Sequence, residues 1–216
     1  MPLPIAHSAA GLAGYLAFKK TKPDSPPKQE IFLLGSCLFL ANLPDLDFIP
    51  GFLCGDPGRF HHGFSHSLAV GLIGTLIFYR FAEYWLKGIS KKRVFICCLV
   101  SLLSHPILDY FSADTSKPFG VPLFWPFDSE YYISPFPLFR IVQRNQDTIG
   151  TFFATIINTN NIWGIAVETL FAGTVLFAIF AFKSRSKPVL SLSCFLLSIL
   201  CGLFYYSLQI KPNLIV

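Results

Sequence analysis

Few residues in this chain could do chemistry, and they come in spaced groups. The five histidines are His7, His61, His62, His66 and His105; aspartates stand near them at Asp45 and Asp47, in the stretch NLPDLD, and at Asp109, four residues after His105. Residues four apart are neighbours on one helix face, so His105 and Asp109 would present a ring nitrogen and a carboxylate side by side. His62 and His66 repeat that spacing, with His61 where the same helical run starts. Asp45 and Asp47 flank one leucine between Pro44 and Pro50, where a turn would direct both carboxylates inward. Imidazole and carboxylate together suit a divalent cation, zinc first, with manganese or iron as alternatives that ligand softness alone does not separate.

The elements that must position these residues are apolar. The chain has 216 residues, 53% hydrophobic and 13% charged, with a mean hydropathy of +0.55, where a soluble domain is about 25% charged. Apolar runs near 3–18, 31–49, 64–86, 93–111, 163–182 and 189–209 approach the roughly 17–25 residues of a membrane-crossing helix. The expected fold is therefore all-α, a polytopic membrane helical bundle of about four to six spans forming one unit over 1–216. The run 112–162 is a long connection rich in proline and aromatics, suited to the outer headgroup level, with a short amphipathic helix near 140–158. The first residues lack a charged stretch ahead of the apolar one, so the run 3–18 is expected to be a retained helix rather than a cleaved signal.

Eleven of the seventeen basic residues fall in three connections: Lys19, Lys20, Lys22 and Lys28; Lys87, Lys91, Lys92 and Arg93; Lys183, Arg185 and Lys187. Six crossings place all three on one side, which the positive-inside rule makes cytoplasmic. All five histidines and the three aspartates then gather at the opposite, extracytoplasmic end of the first four runs. The orientation uses lysine and arginine alone, so the gathering is an independent observation. An aspartate at the centre of a spanning helix costs about 2.5–3.5 kcal/mol. His105 and Asp109 thus call for a compensating partner, and a cation supplies one.

Other polar residues have plainer readings beside functional ones. Arg59 could hold an anionic substrate or be a loop charge, and His62 could face a phosphate or sit behind a ligand. Glu168 could join the site or face water. Trp125 and Phe127 suit interface anchoring better than substrate binding. The six cysteines form no CxxC pair and no disulfide spacing; most lie in apolar runs, where a thiol behaves as a small hydrophobe. The net charge of +5 comes from the short loops, with no basic stripe and interleaved aromatics, so nucleic-acid binding is discounted.

His7, NLPDLD at 42–47, HHGFSHS at 61–67, SHPILDYF at 104–111 and GVPLFWPF at 120–127 together resemble the YdjM family of inner-membrane metal-dependent hydrolases. The resemblance covers roughly residues 1–130; the helices over 163–209 carry no motif. It implies His7, Asp45, Asp47, His61, His66, His105 and Asp109 as the functional, metal-binding set. His62 departs from the family's usual HRG pattern, standing where an arginine is common. A more distant likeness is to the zinc-dependent phospholipase C and P1 nuclease superfamily, whose helical sites use a His-x-x-x-Asp pair such as His105 and Asp109; one or two metals is the expectation here.

The function expected from this is a metal-dependent hydrolase at the outer face of a bacterial cytoplasmic membrane, with Asp45 or Asp47 as general base. Its setting among membrane lipids suggests a lipid or other amphiphilic phosphoester substrate. Two other classes stay open: a transporter or channel with a metal or proton site, and a non-catalytic protein whose cation only staples helices together.

Overall fold

The computed structural model describes residues 2–20, 25–114, 117–145, 148–184 and 187–210, with side chains through residue 204. Lys22 and Arg185, two of the loop cations, lie outside the described residues. Among the described residues there are eight α-helices: α1 Pro4–Phe18, α2 Pro27–Asn42, α3 Phe48–Leu53, α4 Leu68–Trp85, α5 Lys91–Tyr110, α6 Ile149–Ile156, α7 Thr159–Lys183 and α8 Pro188–Ile210. Short 3-10 turns stand at Pro44–Asp47 and Phe64–His66. The architecture is all-α: two isolated bridges, Ser112 with Phe139 and Val121 with Tyr132, are the whole of the extended pairing among the described residues.

Local chemistry sets the starts of these helices. Proline occupies the first turn of α1 and of α2, where its missing N–H is no loss. Ser67 and Ser90 accept from the backbone N–H of Val70 and Arg93 to cap α4 and α5, and Asn158 caps α7 through Asn161 N–H.

Helix α5 is the axis. It packs against α1, α2 and α4, while α1 also touches α2 and α7, and α7 pairs with α8. The shared core is Tyr15, Leu33, Cys37, Leu40, Val94, Cys97 and Leu102 with their neighbours. Backbones approach closely there: a Cβ on Gly11 would lie 2.5 Å from the Cys37 carbonyl oxygen, the role small residues play between membrane helices. Outward faces are apolar instead of charged, as at Ile73, Ile77, Phe182, Leu200 and Leu203.

By length and composition α5 and α7 can cross a membrane, and α2 with the segment Pro44–Leu53 makes a third candidate, bent by 53°. Among the described residues that makes two or three spans against the four to six expected, with α8 counted only over Pro188–Phe204. Helix α1 has only 15 residues, and α4 carries Arg80 and Glu83 in its final turns. The run 31–49 breaks at Leu43, where Pro44 starts the 3-10 turn. The run 64–86 becomes α-helical only at Leu68, because the 3-10 turn Phe64–His66 ends at the extended Ser67. Near 140–158 the helix is confined to the eight residues of α6.

The two ends of α5 differ in chemistry. At its start the Arg93 guanidinium donates to both carboxylate oxygens of Glu30 at 2.6 and 2.8 Å, and the Tyr15 hydroxyl donates to the same group at 2.9 Å. Nearby, the Lys183 ammonium donates to the Lys19 carbonyl, tying the end of α7 to the end of α1. At the other end of α5 stand His105 and Asp109, twelve and sixteen residues, or about 18 and 24 Å along the axis, from Arg93.

Candidate metal centre

Four segments deliver the candidate ligands to one place. Helix α1 brings His7 in its first turn, the 3-10 turn after α2 brings Asp45 and Asp47, the turn before α4 brings His61, His62 and His66, and α5 brings His105 and Asp109. His62 and His66 therefore approach through turns rather than along one helix face. His62 sits at φ +60°, a left-handed conformation costing a non-glycine residue about 1–3 kcal/mol. The surrounding contacts hold it there.

The centre is dry. The side chains of His7, His66, His105 and Asp109 have no exposed surface. His105 Nε2 lies 3.2 Å from Asp109 Oδ2, 3.5 Å from Asp45 Oδ1 and 3.2 Å from His66 Nε2. His66 Nε2 lies 3.4 Å from Asp109 Oδ2 and 3.6 Å from Asp45 Oδ1. His7 stacks on His105 with ring centroids 3.9 Å apart and puts its Nε2 3.5 Å from Asp109 Oδ1.

The tautomers follow from the outer hydrogen bonds. His105 Nδ1 is 2.7 Å from the Ala41 carbonyl oxygen, which can only accept, so Nδ1 carries the proton and Nε2 of the neutral ring is a bare lone pair. His66 Nδ1 faces Asp47 Oδ2 at 3.3 Å and Ser65 Oγ at 3.1 Å, which places its proton there and bares its Nε2 as well. With both rings neutral, two lone pairs and two carboxylate oxygens converge at this point. Among the described residues, neither oxygen of Asp109, nor Oδ1 of Asp45, nor either nitrogen of His7 has a hydrogen-bond partner.

Separations of 3.2–3.6 Å match the edge of a ligand tetrahedron, about 3.3–3.4 Å for bonds of 2.0–2.1 Å. Three groups could hold a metal ion, with ligand atoms within 4.8 Å of one another: His7, Asp45 and His105; Asp45, His61 and His66; His62, His66 and Asp109. The first and third share no residue, and Asp109 turns Oδ1 toward His7 and Oδ2 toward His66 and His105.

Around these stand supporting groups. Asp47 accepts from Ser65 Oγ at 3.0 Å and faces His61 Nδ1 at 3.0 Å, so it orients two imidazoles at once, as carboxylates behind metal-bound histidines do. Burial pulls the His61 pKa down to about 3, against the opposing pull of Asp47. Burial likewise lowers the pKa of His62, against Asp114 at 3.6 Å. Both rings are therefore neutral near pH 7, the form that binds metals.

Glu168 neither joins the ligands nor faces water. Its carboxylate, 3% exposed as a residue, accepts the backbone N–H of Leu3 and of Ala6, closing the start of α1 beside His7. Arg59 is an exposed residue on the wall of a cavity next to Asp47 and His61. Phe127 is 90% exposed, and Trp125 packs against Phe64.

Three contributors escape the sequence reading. Ser65 lies inside HHGFSHS and Asp114 just beyond SHPILDYF, so both were adjacent to a visible signal. Arg144 had none: it comes from the long connection, with its guanidinium 4.8 Å over the Phe48 ring, and Phe48 in turn stacks on His61 at 3.9 Å.

Residues 1–208 match the model of a family described as YdjM inner membrane protein. No curated protein and no solved structure matches the chain.

Proposed function

The chain belongs to the YdjM inner membrane protein family, and from that premise we propose that it is a multi-pass, metal-dependent hydrolase acting on a lipid or related phosphoester at the extracytoplasmic face of the membrane. The observation that carries the reading is the meeting of the buried His66 and His105 Nε2 atoms at 3.2 Å, within 3.2–3.6 Å of the Asp45 and Asp109 carboxylate oxygens. A divalent cation, zinc before manganese or iron, resolves that convergence. When bound it acidifies a water and withdraws charge from substrate oxygens.

The chain's own residues divide the remaining work. His7, His66, His105, Asp45 and Asp109 hold the cation, and His61 and His62 extend the ligand set toward the cavity. Asp47 holds His61 and His66 in register and lines the cavity, which supports it as the group that takes a proton from the attacking water. The orientation rests on the cations. Lys19, Arg93 and Lys183 gather at the end of α1, α5 and α7 away from the cluster, and positive-inside bias puts that end in the cytoplasm.

The deciding experiment is elemental mass spectrometry on the detergent-purified chain beside the His105→Ala, Asp109→Ala double variant, with hydrolysis of lipid phosphoesters assayed on both. Metal in whole-number stoichiometry that disappears in the variant together with activity is the expected result. Wild-type protein that stays metal-free after reloading sinks the mechanism.

A further inference from the structure

We propose that the cavity beside Asp47 and His61 binds an anionic amphiphile, with its acidic group between Arg59 and Lys117 and its apolar chain along Leu46, Phe60 and Phe64. The reaction performed on that ligand rests on the hydrolase reading above; its binding does not.

The cavity has a volume of about 700 Å³, within the roughly 300–1,000 Å³ of ligand sites. One wall is the edge of the candidate centre, formed by Asp47, His61 and Ser65. The charged residues on its lining are Asp47, Arg59 and Lys117. Asp47 is engaged by Ser65 and His61. Arg59 and Lys117 belong to distant parts of the chain, and neither forms an ion pair among the described residues. The Arg59 guanidinium lies 5.4 Å over the Phe60 ring, which keeps it on the cavity wall. Two cations facing one cavity favour a ligand with its own negative charge. A zwitterionic choline headgroup would bring a third cation to the same place and gain less.

The remaining lining excludes a small polar anion as the intended ligand. Leu46 is 42%, Phe60 41% and Phe64 62% exposed, an uncovered apolar surface continuous with the two cations. Phe64 packs against Trp125 at 5.6 Å, within the aromatic stretch GVPLFWPF whose composition suits the headgroup level of a bilayer. The mouth of the cavity thus lies where a lipid's phosphate and first methylenes would sit, which selects an anionic lipid over a free phosphate ester.

The test is isothermal titration of the full-length chain in phosphatidylcholine nanodiscs with dihexanoyl phosphatidic acid, dihexanoyl phosphatidylcholine and glycerol 3-phosphate. An Arg59→Met, Lys117→Met variant is run in parallel, and bound metal is measured on both proteins. The expected result is at least tenfold tighter binding of the phosphatidic acid than of either other ligand, a preference the variant loses while its metal content stays at the wild-type level. Equal binding of the two lipids by the wild type, equal binding of glycerol 3-phosphate, or a preference that survives both substitutions overturns the proposal. The hydrolase reading fails separately: a wild type that discriminates headgroups but carries no metal and cleaves no phosphoester keeps this binding site and loses that reaction.

Discussion

At the residue scale the centre depends on lone pairs. Asp109 meets the bare His105 Nε2 at 3.2 Å and has no hydrogen-bond donor of its own. Asp109→Asn keeps the size of the side chain but removes its charge and offers an N–H toward one of its neighbours. Metal affinity, read by competition with a chromophoric chelator, is expected to fall at least tenfold, with the helical circular dichroism unchanged; wild-type affinity in that variant removes Asp109 from the ligands. Glu168 acts one step further out. Removing its carboxylate in Glu168→Ala strands the N–H of Leu3 and leaves that of Ala6 only its 3.3 Å bond to the Leu3 carbonyl, a cost of roughly 1–3 kcal/mol for a donor left buried and unpaired. Chemical unfolding should register that loss, and metal affinity should fall with it because Ala6 adjoins His7. Glu168→Gln, which retains one acceptor oxygen, should recover part of both.

At the element scale the question is what holds α1, α2 and α5 in the register that brings His7, Asp45 and His105 together. Part of the answer is the Arg93–Glu30 pair at the far end, whose side chains are 8% and 9% exposed. Breaking a buried pair by removing one partner costs about 3–5 kcal/mol, whereas replacing both with apolar residues of similar size is often neutral. Arg93→Met alone should therefore lower unfolding stability by about that amount, and Arg93→Met with Glu30→Leu should regain most of it. An additive loss in the double variant would show that the two side chains act separately. This pairing was not legible in the sequence: Arg93 reads there as one of a row of loop cations, and Glu30 carries no spacing signal. The pairing of His105 with Asp109 was legible because they share a helix, a context in which four-residue spacing has a fixed geometric meaning. His62 and His66 have the same spacing but lie on turns, where that rule does not operate. Arg144 could not be found at all, since stacking on Phe48 joins residues nearly a hundred positions apart.

At the scale of the whole molecule, apolar helix faces, cations at one end and histidines at the other make one claim about orientation. Cys54 can read it. It is an exposed thiol just beyond α3 on the side of the candidate centre, whereas Cys37, Cys97, Cys98 and Cys194 are buried and Cys201 is half-buried on α8. A membrane-impermeant maleimide applied to intact spheroplasts should label the wild type, and the Cys54→Ser variant should lose that label. Labelling of Cys54 only after the membrane is permeabilised would invert the orientation and put the centre in the cytoplasm. The metal chemistry would survive that result, because the convergence of His66, His105, Asp45 and Asp109 does not depend on which compartment they face. The lipid argument would need the inner leaflet instead, and the positive-inside reading of Lys19, Arg93 and Lys183 would be the step that failed.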